Sequence, residues 1–219
     1  MEPFAIKQAA FVTSVGLGGD YPQPLESGVE IALVGKSNVG KSSLINSLCN
    51  NYKLARVSGS PGKTRLINYF AINRQFYLVD LPGYGFAKAP KTEKEKWGEL
   101  IEGYLGTGRV NHIFHLLDIR HEPTAEDKQM FQWVLYYGVP FTLVATKADK
   151  IAKSKRRQAA NAAAKLLGAP PAGLPYSGET GEGRLELLER MGKIVQDHIS
   201  LHNTKTPIDI DSSLLHNME

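Results

Sequence analysis

The stretch EIALVGKSNVGKS, residues 30–42, decides the fold. After Glu30 it is apolar over consecutive positions, as buried parallel strands are. The remainder, from Gly35 to Ser42, matches the pattern G-x-x-x-x-G-K-[ST]. Gly35 and Gly40 allow a tight turn in which consecutive N–H groups surround phosphate oxygens, and the following helix adds its positive dipole end. The stretch therefore predicts a phosphate-binding loop that joins a strand to a helix.

Two side chains of this loop carry specific chemistry. Lys41 supplies a compact positive charge for the β- and γ-phosphates of a nucleotide, and the Ser42 hydroxyl can ligate Mg²⁺. The loop alone does not distinguish ATP from GTP or a kinase from a hydrolase, and a glycine-rich turn without a ligand is the competing interpretation. The residues between the two glycines are expected to contribute backbone contacts: Lys36, Ser37, Asn38 and Val39.

Strand-like runs alternate with helical patterns along the rest of the chain. This alternation predicts a three-layer α/β fold, with a mostly parallel six-stranded sheet and helices on both faces. The six runs lie at 30–34, 66–72, 76–80, 112–118, 141–145 and near 174–176. Residues 1–28 are expected to form an N-terminal strand and a turn-rich lead-in, residues 29–201 the main domain, and residues 202–219 a polar, frayed C-terminal tail.

Capping signals locate two of the helix starts. Thr92 followed by Glu95, and Thr124 followed by Asp127, have capping-box spacing, so a helix is predicted after each threonine. The helical stripes that contain Trp97 and Trp133 are predicted to face the core. Further helices are predicted at 42–49, 154–167 and 183–201.

Composition excludes several classes of protein. The 219 residues have globular proportions, 42% hydrophobic and 22% charged, with a formal net charge of +4. A single cysteine, Cys49, excludes an internal disulfide framework and a cysteine-rich metal site. No apolar run approaches the roughly 18–20 residues that a bilayer requires, and the N-terminus makes a poor signal peptide. We therefore expect a cytoplasmic monomer without a membrane partner.

A second motif, FYLVDLPG at 76–83, ends a predicted strand in D-x-x-G. At the carboxyl end of such a strand Asp80 lies beside the phosphate loop, where it can hold Mg²⁺ through water. Gly83 can bring its N–H against the γ-phosphate, and Leu81 and Pro82 complete the segment. By itself D-x-x-G is usually an ordinary turn. It indicates a nucleotide site here because it follows a phosphate loop in the chain.

The segment TKAD, residues 146–149, follows another predicted strand and is interpreted as the reader of the base. Asp149 can accept hydrogen bonds from N1–H and the exocyclic amine of guanine. Adenine lacks that amine and its N1 is an acceptor, so the carboxylate would remain unpaired at a cost of several kcal/mol. The stem of Lys147 can cover the base, Thr146 can tie this loop to the phosphate loop, and Ala148 lies between them. A charged loop is the alternative for the isolated tetrapeptide.

Two weaker signals complete the set. Tyr176, Ser177 and Gly178 follow a short strand and precede the last helix, where a backbone N–H can reach the guanine O6. Thr64 lies in a loop with glycine and proline that precedes another strand. A threonine there can complete the Mg²⁺ shell and sense the γ-phosphate, and an ordinary loop threonine is the alternative.

In this order, the motifs GKSNVGKS, PGKT, DLPGYG, TKAD and YSG resemble those of a translation-factor-class P-loop GTPase, and more narrowly those of the EngB family. The segments SNVGKSSLIN, SPGKTRLINYF, VDLPGYGFAK and DIRHEPTAEDKQM each fit that family. The resemblance implies a G domain and a bacterial, cytoplasmic GTPase. Such a protein assists assembly of the large ribosomal subunit and is needed for normal cell division and septation.

The resemblance also implies which residues contact GTP or GDP. One departure is Gly178, where a serine is expected, which puts a side-chain contact in doubt but not a backbone contact. Mg²⁺ is expected on Ser42, Thr64 and Asp80, and the catalytic set is Lys41, Thr64 and Gly83. The implied contacts are Gly35 to Ser42, Gly62, Lys63, Thr64, Arg65, Leu66, Asp80 to Gly83, Thr146 to Asp149 and Tyr176 to Gly178.

The residue after D-x-x-G bears on the rate of hydrolysis. Ras-like enzymes orient the attacking water with a glutamine there, and this chain has Tyr84, which has no amide. Slow intrinsic hydrolysis is therefore predicted, stimulated by a partner or ion that supplies the missing group. Asn38 matches the asparagine that potassium-activated relatives use as a K⁺ ligand; the alternative is that Asn38 only holds the loop.

Basic residues provide candidate contacts for ribosomal RNA. One group is a run at a helix start, for which a solvated face is the alternative: Lys147, Lys150, Lys153, Lys155, Arg156 and Arg157. Another group follows D-x-x-G: Lys88, Lys91, Lys94 and Lys96. The leading hypothesis is a timer driven by GTP hydrolysis, and the second is a GTP/GDP-sensing RNA- or ribosome-binding module with incidental hydrolysis. A metabolic kinase fits poorly because TKAD reads guanine.

Overall fold

The computed structural model describes residues 4–55, 66–85 and 90–203. Strands and helices alternate along most of the chain, and a 3₁₀ turn covers Ala148–Lys150. The strands are β1 (Ala9–Val15), β2 (Glu30–Gly35), β3 (Ile67–Ile72), β4 (Phe76–Asp80), β5 (Val110–Asp118), β6 (Phe141–Thr146) and β7 (Leu174–Pro175). The helices are α1 (Lys41–Leu48), α2 (Lys91–Gly106), α3 (Ala125–Tyr136), α4 (Lys153–Leu166) and α5 (Arg184–Asn203).

The strands of the described residues form one sheet in the order β1-β3-β4-β2-β5-β6-β7. From β4 to β7 all neighbours are parallel, whereas β3 is antiparallel to both β4 and β1. The predicted α/β fold with a mostly parallel sheet is confirmed. The predicted count of six strands is wrong, because the N-terminal strand joins the sheet at its edge, with Ala9 opposite Ile72 and Val15 opposite Ile67.

Helices cover both faces of the sheet, which explains why all six residues of β2 are buried. On one face Ile31 and Leu33 pack in a core that includes residues of α1 and α5. On the other face Ala32 and Val34 pack in a core with residues of α2 and α3. The carboxyl ends of β2, β4, β6 and β7 then meet at one edge of the sheet, which is where ligands bind in open α/β folds.

The two predicted capping boxes have different outcomes. At α3 the box is confirmed, since the Asp127 N–H donates to the Thr124 hydroxyl (3.3 Å) and an Asp127 carboxylate oxygen accepts from the Thr124 N–H (2.8 Å). At α2 the box is wrong, because extended Pro90 is the N-cap and places Thr92 inside the first turn. Trp97 and Trp133 pack against the core only in part and keep some of their surface exposed.

The C-terminal helix α5 extends to Asn203, beyond the expected end at residue 201. The rest of the predicted tail lies outside the described residues, so the division of the chain at residues 28 and 201 stays a prediction. Within 4–55, 66–85 and 90–203, no helix combines the length and the apolar character needed to cross a bilayer.

Candidate functional site

Glycines shape the loop between β2 and α1 in two different ways. Gly40 has φ 113°, a left-handed conformation that other residues rarely adopt, and it precedes the first residue of α1. Gly35 is required by packing, because a Cβ there would lie 2.8 Å from Val39 Cγ1 and 2.9 Å from the Leu116 carbonyl oxygen. Asn38 is also left-handed, with φ 63°. Together these residues fold the loop tightly over the start of the helix.

Most N–H groups of this loop are left without a protein acceptor. Ser37 N–H donates to the Tyr84 carbonyl (2.8 Å) and Val39 N–H to the Lys36 carbonyl (3.0 Å). In the part of the chain that the structure describes, no protein acceptor is bonded to the N–H groups of Asn38, Gly40, Lys41 and Ser42. Unfilled donors that ring the N-terminus of a helix make a concave site suited to a phosphate group.

Asp80 lies at the end of β4 beside this loop, and one of its carboxylate oxygens lacks a hydrogen-bond partner. Its Oδ1 is buried without a hydrogen bond, and Lys41 Nζ stands 3.8 Å away. Burial raises the pKa of Asp80, and Lys41 partly offsets that shift. A buried carboxylate oxygen without a hydrogen bond fits a hard divalent cation. Among the described residues no three His, Cys, Asp or Glu gather into a metal cluster.

The D-x-x-G segment passes directly over the phosphate loop. A Cβ on Gly83 would lie 3.0 Å from the Ser37 nitrogen and 3.1 Å from Lys41 Nζ, so only glycine fits this approach easily. Tyr84 turns its side chain into the protein: its hydroxyl donates to Asp127 Oδ1 (2.7 Å) and lies 2.9 Å from His115 Nε2. The Tyr84 ring is therefore committed to α3 and the sheet.

Two histidines of β5, His115 (buried) and His112 (partly buried), should make stability depend on pH. Burial lowers the pKa of His115 to about 4, which nearby Asp127 only partly opposes, and burial with Arg190 lowers the pKa of His112 to about 4. The folded chain therefore binds fewer protons than the unfolded chain. Stability is fully present above the ordinary histidine pKa of about 6.5 and is lost as the pH falls towards 4.

We expect the free energy of unfolding to fall over this window by up to about 1.4 kcal/mol per pH unit for each histidine. Urea denaturation measures the free energy of unfolding of the natural chain and of a His112→Gln/His115→Gln variant. The measurements cover pH values from about 4.5 to 7, a range that includes the ordinary histidine pKa of about 6.5. The variant should show the shallower dependence. Equal slopes in the two proteins would contradict the assignment.

The TKAD segment is tied to the phosphate loop by two side chains. The Thr146 hydroxyl donates to the Val39 carbonyl (2.6 Å), and Lys147 Nζ donates to the Asn38 carbonyl (2.8 Å). Lys147 Nζ also lies 2.9 Å from Asp118 Oδ2 at the end of β5. Burial alone would raise the pKa of Asp118, but hydrogen bonds from Arg120 and Lys147 outweigh it and lower the pKa. Sequence reasoning assigned Asp118 no role, although it ends a strand in the DIR segment.

Asp149 is fixed by two neighbours. Its Oδ2 lies 2.9 Å from Lys150 Nζ, and its Oδ1 accepts from the Ser177 hydroxyl (2.7 Å). These two contacts, that of Lys150 first, lower the pKa of Asp149, so the carboxylate stays ionised. The Ala148 N–H donates to the Tyr176 carbonyl (3.0 Å), and this bond joins the TKAD segment to the segment Tyr176–Gly178.

A cavity of about 160 Å³ lies where these motifs meet. Tyr176, Ser177 and Gly178 each have a backbone N–H that was a candidate donor to the guanine O6. The N–H groups of Tyr176 and Ser177 instead donate to the carbonyls of Ala145 and Glu182. Gly178 keeps an N–H without a protein acceptor among the described residues. The lining includes Gly40, Ser43, Leu44, Thr146, Lys147, Asp149, Lys150, Tyr176, Gly178 and Glu179.

Other predicted positions fall outside the described residues or outside this cavity. Gly62, Lys63, Thr64 and Arg65 lie outside the described residues, as does Lys88, and Leu66 directly precedes β3. Part of the basic run is neutralised, since Arg156 pairs with Glu182 and Arg157 with Glu186. Lys153 and Lys155 on α4, and Lys94 and Lys96 on α2, are exposed.

Comparison with known proteins gives concordant results. The family described as "50S ribosome-binding GTPase" matches residues 30–147. A "Probable GTP-binding protein EngB" of Pelotomaculum thermopropionicum is 47% identical over 193 residues, which are 87% of this chain and 96% of that protein. A namesake in Clostridium kluyveri is 54% identical over 151 residues, 68% of this chain and 76% of that protein. A crystal structure of a probable GTP-binding protein EngB, 24% identical, superposes with a TM-score of 0.64 over 77% of this chain and all of its own, which supports the fold.

Proposed function

The chain belongs to the EngB family of GTP-binding proteins, and we propose that it hydrolyses GTP to GDP and phosphate as a switch in assembly of the large ribosomal subunit. The family whose model matches residues 30–147 is described as a GTPase family. One observation carries the proposal. The phosphate loop, with its unfilled N–H donors, lies next to a cavity beside Asp149 that is large enough for a base. One nucleotide spans both.

Recognition of guanine falls to three groups of this cavity. The Asp149 carboxylate accepts from guanine N1–H and the exocyclic amine, and the Ser177 hydroxyl holds it in position. The uncommitted N–H of Gly178 donates to O6, and the Lys147 stem lies along the base. Adenine would leave a charged acceptor unpaired, and this penalty provides the selectivity.

The phosphate end uses the residues around Lys41. Ser42, Asp80 and Thr64 are the proposed holders of Mg²⁺, and the orphaned Asp80 Oδ1 supports that assignment. When bound, the ion neutralises the charge on the phosphate oxygens. Lys41 and the loop N–H groups stabilise the charge that grows on the β–γ bridge, while Gly83 brings the backbone of its segment against the γ-phosphate.

Hydrolysis by this chain alone should be slow. The Tyr84 hydroxyl bonds to Asp127 and lies beside His115, so the residue after D-x-x-G takes no part in orienting water. A partner or an ion must then complete the site. We propose that Asn38 ligates K⁺, and its position within the phosphate loop, where its backbone is left-handed, supports this proposal.

The large ribosomal subunit, through its RNA, is the proposed partner. The family description names the 50S ribosome, and the exposed side chains of Lys96 on α2 and of Lys153 and Lys155 on α4 can contact phosphates. We further assign the protein to the cytoplasm, as a monomer, with a role in cell division and septation that follows from the EngB resemblance. The second candidate is a GTP/GDP-sensing ribosome- or RNA-binding module with incidental hydrolysis.

Single-turnover hydrolysis of γ-³²P-GTP, with and without large ribosomal subunits, separates the two candidates. The timer predicts an increase of at least about tenfold on adding subunits, because the partner lowers the barrier by about 1.4 kcal/mol or more. Replacing KCl with NaCl should lower the rate as well. An unchanged rate with subunits that nevertheless bind the protein would favour the sensing module, and an unchanged rate in NaCl would reject the K⁺ assignment.

A further inference from the structure

A larger cavity lies between α2 and α3, beside the end of the DLPGYG motif. It has a volume of about 460 Å³ and opens beside Tyr84 and Gly85, which directly follow the D-x-x-G motif. We call it the α2–α3 groove, and its walls include Trp97 and Glu99 of α2 and Trp133 of α3. The function proposed above does not use it.

Two tryptophans form an aromatic platform in the groove. The rings of Trp97 and Trp133 stack with centroids 5.6 Å apart and planes inclined by 20°, and each ring keeps part of its surface exposed. Exposed tryptophan faces attract planar cations, and the arginine guanidinium is the side chain that stacks on them best. A platform of this kind at the protein surface is typical of an interaction site.

The charge of the groove is opposite to that of the whole chain. The chain has a net charge of +4, whereas the charged residues that line the groove, among those the structure describes, are five glutamates and one lysine, Lys94. Glu99 and Glu102 are exposed and form no ion pair with any residue that the structure describes. Carboxylates in this density repel RNA phosphates and attract arginine and lysine. The glutamates are Glu93, Glu95, Glu99, Glu102 and Glu126.

The groove is mechanically joined to the nucleotide site. The Trp97 Nε1–H donates to the Pro82 carbonyl (2.9 Å) inside the D-x-x-G motif. The Tyr84 carbonyl accepts from Ser37 N–H in the phosphate loop, and the Tyr84 hydroxyl donates to Asp127 of α3. A shift of the D-x-x-G segment would therefore move both walls of the groove, so binding in the groove and binding of nucleotide should be linked.

We infer that the α2–α3 groove binds an arginine-rich segment of a partner polypeptide, and that its affinity depends on the bound nucleotide. Guanidinium groups stack on the tryptophan platform and form hydrogen bonds to Glu99 and Glu102. This dependence on nucleotide rests on the switch proposed above, whereas the binding itself does not. The protein therefore has two faces, one for RNA and one for a basic polypeptide.

Fluorescence anisotropy with a labelled peptide of alternating arginine and glycine tests the inference on the full chain at physiological salt. A Glu99→Gln/Glu102→Gln variant should bind the peptide at least about tenfold more weakly. The matched control, Glu189→Gln/Asp197→Asn on the exposed face of α5, removes the same charge and should bind within about twofold of the natural chain. A separate Trp133→Leu variant should also bind the peptide more weakly than the natural chain, although its net charge is unchanged.

The outcomes are distinct. Equal weakening in both double variants would show non-specific charge attraction and overturn the groove, as would absence of binding to the natural chain. A single-stranded RNA that displaces the peptide and binds the Glu99→Gln/Glu102→Gln variant more tightly would also overturn it. Equal peptide affinity with GDP and a non-hydrolysable GTP analogue would overturn the nucleotide dependence. Nucleotide titration of the same samples reports separately on the proposed GTP switch.

Discussion

Replacement of Asp149 by asparagine should lower the affinity for GDP and GTP by about 100-fold or more and create binding of xanthine nucleotides. The amide NH₂ of asparagine is a hydrogen-bond donor, and it would face two further donors, the guanine N1–H and amine. Two charge-assisted hydrogen bonds are therefore lost. Xanthine has a carbonyl in place of the amine, which the new amide can satisfy. Titration of labelled GDP and XDP into both proteins measures the exchange.

Two further variants make this result specific. Asp197→Asn on α5 removes the same charge from an exposed residue far along the chain and should leave GDP affinity unchanged. Ser177→Ala removes the hydroxyl that holds Asp149 Oδ1 and should weaken GDP by about tenfold, because the carboxylate remains but loses its orientation. GDP affinity within about twofold of the natural value in Asp149→Asn would exclude this residue as the base reader.

Replacement of Lys41 by alanine should reduce single-turnover GTP hydrolysis by about 100-fold or more. The Lys41 ammonium lies 3.8 Å from the buried Oδ1 of Asp80, and the Lys41 N–H is one of the unfilled donors of the loop. Without it, charge on the β–γ bridge loses a stabilising group worth about 3 kcal/mol. GTP affinity should fall as well, and more than the affinity for GDP.

The control for Lys41 is Lys193→Ala, which removes an exposed lysine from α5 and should hydrolyse GTP at the natural rate. Circular dichroism and the retained binding of labelled GDP would show that Lys41→Ala is folded. A hydrolysis rate within about threefold of the natural chain would contradict the role of Lys41 at the triphosphate.

The order and the type of most elements could be predicted from local sequence. The run at 76–80 coincides with β4, and the Thr124 box begins α3 as expected, because apolar runs and caps are local signals. The place of β1 in the sheet could not be predicted, since it depends on pairing with β3, more than fifty residues along the chain. The false start at Thr92 has a local cause: Pro90 already provides the N-cap.

The candidate site divides in the same way. Motifs in a fixed order predicted which segments meet, and the structure brings the phosphate loop, Asp80, TKAD and Tyr176–Gly178 to one edge of the sheet. Contacts between side chains that are far apart along the chain could not be predicted from the sequence. Examples are the Asp118 carboxylate that holds Lys147, the bond of Tyr84 to Asp127, and the two tryptophans that stack across α2 and α3. Each depends on three-dimensional packing and not on spacing along the chain.

The proposed GTP switch requires a pocket that accepts guanine and rejects adenine. Displacement of a fluorescent GDP analogue from the purified chain by unlabelled GTP and ATP decides this point. We expect GTP to displace the analogue fully, while ATP at concentrations about 1,000-fold higher leaves it bound, as an unpaired Asp149 carboxylate requires. Displacement by the two triphosphates at equal concentrations would contradict the assignment of Asp149 and, with it, the proposed GTP switch.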